Sequence, residues 1–99
     1  MNKPPLAPVH PGEILREEFL APLDMTPYAL AAKLRVPRTR IERLVREETA
    51  VTPDTALRLA RYFGTTPEFW LGIQNRFDVE TARRTLNDDI TAIKPRKTG

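Results

Sequence analysis

The chain has 99 residues, 40% of them hydrophobic, enough for one small domain with a modest core. It has no cysteine, which excludes disulfides and thiolate metal sites, and no apolar run near the ~20 residues needed to span a bilayer. The net charge of +3 is concentrated: Arg35, Arg38, Arg40, Arg43 and Arg46 against Glu42 give residues 35–46 a net +4, while residues 1–24 sum to −2 and residues 47–99 to zero. One basic patch on a nearly neutral chain points to a polyanion met at one place, or to a solvated helix face.

Residues 1–10, Met-Asn-Lys-Pro-Pro-Leu-Ala-Pro-Val-His, hold too many prolines for a helix and read as an extended arm. Lys3 is followed by prolines rather than an apolar leader segment, so the expected compartment is the cytoplasm. Pro11 suits a first helical position, and Glu13 falls in the first turn, where the helix dipole favours an acid. Ile14, Leu15, Phe19 and Leu20 give this first helix an apolar face, and Pro22 ends it or bends its last turn. Arg16-Glu17-Glu18 reads as a solvated face.

Thr26-Pro27 starts a second helix, a hydroxyl cap followed by proline, with Leu30, Ala31 and Leu34 at helical spacing. Pro37 opens a third helix with the stripe Ile41, Leu44 and Val45. Thr52-Pro53-Asp54 repeats the start device for a fourth, carrying Ala56, Leu57, Leu59, Ala60 and Phe63 before Gly64 stops it. Thr66-Pro67-Glu68 starts a fifth, with Phe69, Trp70, Ile73 and Phe77. It runs to about Leu86, unless Asp78 caps a separate short helix. Residues 87–99 are expected to be a flexible tail. No segment alternates with period two, so the fold expected is all-α: five helices with a long C-terminal one, forming a single domain over residues 11–86.

Residues 28–46 carry the functional signal. Ala31 is the small residue needed where two helices cross closely. Leu30, Leu34, Val36, Ile41 and Leu44 are spaced as the anchors of a DNA-binding helix-turn-helix. Arg35 stands at the turn position that commonly holds glycine. Either the turn is built differently, or a left-handed arginine, at a cost of about 1 kcal/mol, is tolerated to place a cation near phosphate. Wound at 100° per residue, the third helix puts Ile41, Leu44 and Val45 on one side and Thr39, Arg43 and Arg46 nearly opposite. Arg38 lies in the first turn, and Glu42 and Arg40 on the flanks. Arginine grips guanine O6 and N7 with two hydrogen bonds. Thr39 suits a thymine methyl or a phosphate, and Glu42 either accepts from cytosine N4 or orients Arg38 or Arg46. Thr26 and Tyr28, at the start of the second helix, suit a phosphate through their hydroxyls and the backbone N–H groups there. The DNA-binding set expected is therefore Thr26, Tyr28, Arg35, Arg38, Thr39, Arg40, Arg43 and Arg46.

Phe69, Trp70, Ile73 and Phe77 fit either a core or a dimer interface. One short helix need not bury four large side chains in so small a chain, so they are the expected dimerisation residues. A dimer would set two recognition helices about one DNA turn apart, or a multiple of it, and demand a palindromic site. His10 is the one histidine, and without cysteine it has no partners for a metal site or a nucleophile relay. It is expected to serve the start of the first helix. No catalytic residue, metal or cofactor is expected.

Three blocks carry a resemblance: His10-Pro11-Gly12-Glu13-Ile14-Leu15-Arg16-Glu17-Glu18-Phe19-Leu20, then Val36-Pro37-Arg38-Thr39-Arg40-Ile41, then the run Thr52-Pro53-Asp54-Thr55-Ala56-Leu57 through Thr66-Pro67-Glu68-Phe69-Trp70-Leu71. Together they resemble the HigA-type antitoxins, within the phage-repressor-like (XRE) helix-turn-helix family. The resemblance implies a homodimer that binds a palindromic operator in double-stranded DNA and represses its own operon. It also implies a partner toxin, a small ribonuclease that cleaves mRNA and is neutralised by the antitoxin. Glu47-Glu48-Thr49-Ala50-Val51 departs from the pattern, since relatives often carry a basic, glycine-containing loop there. The residues alone leave two alternatives: a stand-alone repressor with no toxin, and an interaction module that inhibits a partner enzyme without DNA.

Overall fold

The computed structural model describes residues 7–97; most of the proline-rich arm expected over residues 1–10 lies outside them. Among the described residues there are five helices and no strand. Helix α1 begins as Pro11–Ile14, widens into π-helical turns over Leu15–Leu20 and closes with Ala21–Leu23. Helices α2 (Pro27–Leu34) and α3 (Arg38–Val45) form the helix-turn-helix; α4 (Pro53–Phe63) and α5 (Pro67–Ala92) follow.

Four helices start alike. The His10 ring Nδ1 accepts from the Gly12 N–H at 2.8 Å, and the hydroxyls of Thr26, Thr52 and Thr66 accept from Ala29, Thr55 and Phe69 at 3.0, 3.3 and 3.0 Å. Each cap satisfies a donor that the helix start would otherwise strand, and each is followed by proline, which needs no acceptor. Helix α3 differs. Pro37 takes its cap position and offers no side-chain acceptor.

The helix ends share another device. Asp24, Arg35 and Glu47 all adopt left-handed backbone (φ 51°, 62° and 65°), as Gly64 does at 72°. After α2, the Val36 N–H reaches back to Ala31 O at 3.1 Å and the Arg35 N–H to Ala32 O at 3.2 Å; the ends of α1 and α3 repeat this pair of bonds. So the turn keeps the glycine geometry with an arginine in it. Its carbonyl is not stranded: Arg58 Nη1 donates to Leu34 O at 2.8 Å and to Arg35 O at 3.4 Å.

Pro22 does not end α1. Proline lacks an N–H and its ring crowds the carbonyl four residues back. The helix adapts one turn earlier by widening, with the Ala21 N–H bonded to Arg16 O, five residues back.

The core is one cluster around Leu15, Leu30, Ile41, Leu44, Leu59 and Trp70, each at most 1% exposed. Ala31 is buried at the α2–α3 crossing, as its size required. Leu57 departs from the expected pattern and stands exposed. Trp70 corrects the dimer expectation. Its ring is fully buried within one chain against Phe19 and Phe69, centroids 5.0 Å away in each case, and its Nε1 donates to the Thr65 hydroxyl at 2.8 Å.

Helix α5 is one 26-residue rod that continues through Asp78, where the carboxylate accepts from Gln74 Nε2 at 3.0 Å instead of capping a new helix. Gln74 is itself buried and accepts the Val51 N–H at 2.8 Å, which ties the loop after α3 to α5. The rod runs to Ala92, beyond the expected end near Leu86, so residues 87–92 are helical and not tail. Residues from 81 onward are exposed, and the molecule reaches 54 Å along its longest axis. No helix among the described residues is long and apolar enough to cross a membrane.

Candidate nucleic-acid interface

Helix α3 has charge to offer and, among the described residues, an exposed outer face. Ile41, Leu44 and Val45 are buried beneath it; Arg38, Thr39, Arg43 and Arg46 are exposed. The helical projection of the sequence is thus realised in space.

The helix is held from behind by two residues of α1. Gly12 packs so close that a Cβ there would stand 1.8 Å from the Leu44 carbonyl oxygen. Only glycine permits that approach. Arg16 Nη1 donates to Val45 O, while Nη2 meets Glu47 at 3.3 Å and Nε meets Glu17 at 3.0 Å. The hydrogen bond to Glu17, then Glu47, holds the guanidinium above its ordinary pKa against the opposing effect of burial. A cation on the last carbonyls of α3 also favours the negative end of its dipole. Arg16 therefore corrects the reading of residues 16–18 as a solvated face: it anchors the end of α3. It also gives Glu47 a counter-charge, so that one of the two acids after α3 is compensated within the chain.

At the front, Arg38 is already organised. Its Nε sits 3.4 Å from Glu42 Oε2, one turn on, and its guanidinium lies 5.7 Å from the centroid of the Tyr28 ring. Tyr28 is 63% exposed. A planar cation braced by a carboxylate on one side and an aromatic face on the other has fewer conformers to lose when its fork meets two acceptors. Glu42 here orients Arg38. Arg43 and Arg46 make no ion pair among the described residues. Because α3 lacks a side-chain cap, the N–H groups of Arg38 and Thr39 are left to solvent or to an anion, while that of Arg40 bonds Pro37 O at 3.1 Å.

The expected set divides. Tyr28 and Arg38 come together, with Thr26 capping the same helix start. Thr39, Arg43 and Arg46 share the outer face of α3. Arg40 does not join them: its Nη1 pairs with Asp54 of α4 at 2.9 Å, and Asp54 also takes Arg58 Nε at 2.7 Å. Those bonds, Arg58 first, hold the Asp54 carboxyl below its ordinary 3.8. Arg35 stands in the turn and its carbonyl is tied to Arg58. Sequence reasoning missed Arg16, Asp54 and Arg58. The one available signal was the Asp54–Arg58 spacing of four on a helix; the reach of Arg58 to α2 and of Arg16 to α3 has no local trace. Among the described residues no group of acids and histidines could hold a metal ion.

A helix-turn-helix family model (HTH_3) matches residues 15–70. The chain belongs to the helix-turn-helix family. Virulence-associated protein I of Dichelobacter nodosus is 49% identical over 76 residues, covering 77% of this chain and 70% of that protein. Antitoxin HigA-1 of Vibrio cholerae is 37% identical over 95 residues, covering 96% and 90%. Among solved structures, Pseudomonas aeruginosa antitoxin HigA with the higBA promoter superposes with a TM-score of 0.88 at 41% identity, covering 91% of this chain and 99% of that one. The identity extends well beyond the helix-turn-helix, so within this family the chain is a HigA-type member.

Proposed function

We propose that this protein is the antitoxin of a type II toxin–antitoxin module. As a homodimer it binds a palindromic operator and represses its own operon, and it neutralises a small mRNA-cleaving ribonuclease. The observation that carries the DNA half is Arg38, braced between Tyr28 and Glu42 at the open start of a helix whose apolar face is wholly buried. Arg38 reads a base edge, Arg43 and Arg46 extend the contact along the groove, and Thr26 and Tyr28 meet a phosphate. Arg35 and Arg40 lie at the edge of this surface and supply charge. The toxin half is supported by the likeness over nearly the whole chain to proteins named antitoxin HigA.

The homodimer needs a different surface from the one the sequence suggested. Trp70 is core, and Phe77 packs edge-on against the His10 ring, centroids 4.8 Å apart. Phe69 and Ile73 instead line an open groove with Val9 and Ile14. Further along α5, Val79, Leu86 and Ile90 stand 44, 42 and 53% exposed, and Ile93, just past its end, 66%. With Ala82 they form one stripe, rotated roughly 140° from Trp70 and Gln74 around the helix. The stripe is symmetric about Leu86. An antiparallel partner centred there sets Val79 against Ile93, Ala82 against Ile90 and Leu86 against itself, with each globular body beyond the other's helix end.

Gel shifts on the DNA upstream of the gene, run at several salt concentrations, test the first half. Arg38→Ala is expected to lose about 1–3 kcal/mol at one base pair and to relax specificity there. Arg43→Ala or Arg46→Ala, if a phosphate contact, weakens all sequences and flattens the salt slope. Wild-type binding in both Arg38→Ala and Arg43→Ala rejects α3 as the reading helix. Co-purification with the product of the adjacent gene tests the second half; absence of a toxin there leaves a stand-alone repressor.

A further inference from the structure

A groove of about 480 Å³ runs along the flank of the domain, between the last turn of α2 and the outer face of α4. Lys33 and Arg35 rim it from α2, and Leu57, Arg61 and Tyr62 from α4. Leu57 is 59% exposed and Tyr62 39%, although the other face of α4 is packed into the core. Leu57 has the helical spacing of a core residue, yet the fold leaves it in water.

The charge around that leucine is not balanced within the chain. Asp54, the carboxylate that reaches this flank, is already shared by Arg40 and Arg58. Lys33, Arg35 and Arg61 make no ion pair among the described residues. Three uncompensated cations therefore surround one exposed apolar floor. A phosphate backbone would use the cations and leave Leu57 in water. A protein segment with an apolar side chain and flanking carboxylates uses both features.

We propose that this groove docks an acidic, amphipathic helical segment of a partner protein. One large apolar side chain of that segment seats between Leu57 and Tyr62, and its Asp or Glu side chains meet Lys33, Arg35 and Arg61. The site lies beside the outer face of α3 and shares Arg35 with the edge of the proposed DNA surface; it does not depend on the antitoxin reading.

The probe is a short fluorescein-labelled, helix-forming peptide with leucines at i, i+4 and i+7 on a glutamate-rich background, titrated with the full chain. Saturable anisotropy is expected, weakening as salt is added. Leu57→Ser, and separately Lys33→Glu with Arg61→Glu, are each expected to weaken binding at least about tenfold. Both proteins should keep the wild-type thermal midpoint, and Leu57→Ser should keep the wild-type operator affinity. A matched peptide with glutamine for glutamate should bind at least about tenfold more weakly. Three results overturn the proposal: wild-type peptide affinity in both variants; loss with charge reversal but not with Leu57→Ser, which is unspecific attraction; or loss of DNA affinity with peptide affinity intact, which makes the flank a phosphate contact.

Discussion

Helix α3 and the second half of α5 are built to the same recipe, a thin apolar stripe under abundant charge, and they end in opposite situations. The stripe of α3 is buried down to its last residue, with α1 pressed on its carbonyls through Gly12 and Arg16. The stripe of α5 from Val79 onward is exposed among the described residues. Helical periodicity shows that a face is apolar; it does not show whether the covering surface is in the same molecule. A helix that must present side chains to DNA gains from being held rigidly by its own chain. A helix that must find a second molecule has to leave its stripe open.

The sharpest way to separate the two situations is to cut inside α5 on each side of Val79. Trp70→Ala removes a fully buried indole and is expected to cost about 3–5 kcal/mol of unfolding free energy in urea titrations. Gly12→Ala is next, at about 3 kcal/mol, because the atom struck is a backbone carbonyl that cannot rotate away. Its loss of operator affinity should exceed its loss of helicity if α1 sets the pose of α3. Leu86→Glu should leave the stability of the isolated monomer unchanged and convert the dimer to monomer in light scattering. If Leu86→Glu instead unfolds the chain, the second half of α5 belongs to the core after all.

Smaller effects sharpen the account of how α3 is held. Arg35→Gly should stabilise the fold by up to about 1 kcal/mol in thermal or urea melts, since φ of 62° is free for glycine. The same change removes a cation beside the turn, so a weaker operator complex with a flatter salt dependence would show what the strain is kept for. The smallest effect concerns pH. Asp54 has its folded pKa pushed below 3.8 by Arg58 and Arg40, so its pairs contribute stability above that value and lose it as pH falls through the lowered one. Asp54→Asn should flatten that acid limb slightly, with the pair being exposed.

The five helices were legible because local chemistry writes their starts: in four, a hydroxyl or ring acceptor, then proline, then an apolar period, and in α3 the proline and the period alone. The outer face of α3 was legible for the same reason, as Ile41, Leu44 and Val45 fix which way Arg38 and Arg43 turn. What was not legible depends on partners distant in the chain. Trp70 and Leu86 look alike in a pattern, and only the folded position of Phe19 tells them apart. Arg40 looked free until α4 brought Asp54 to it, and Arg16 looked solvated until α3 brought its final carbonyls. Of the glycine-free left-handed turns, the one at Arg35 was one of two readings the sequence left open, while those at Asp24 and Glu47 were hidden, because what allows them is a pair of backbone bonds that any sequence can make.

The widened turns of α1 give that helix a join within its length. A hydrogen bond spanning five residues brings side chains five apart onto one side, and Leu15 and Leu20, which a regular helix would point in different directions, are both buried. The chain therefore carries one residue more than a regular helix would use, spliced in where the front of α1 must serve α3 and its rear must serve the core. Each part can be oriented for its own neighbour, and Pro22 sits without conflict downstream of the splice.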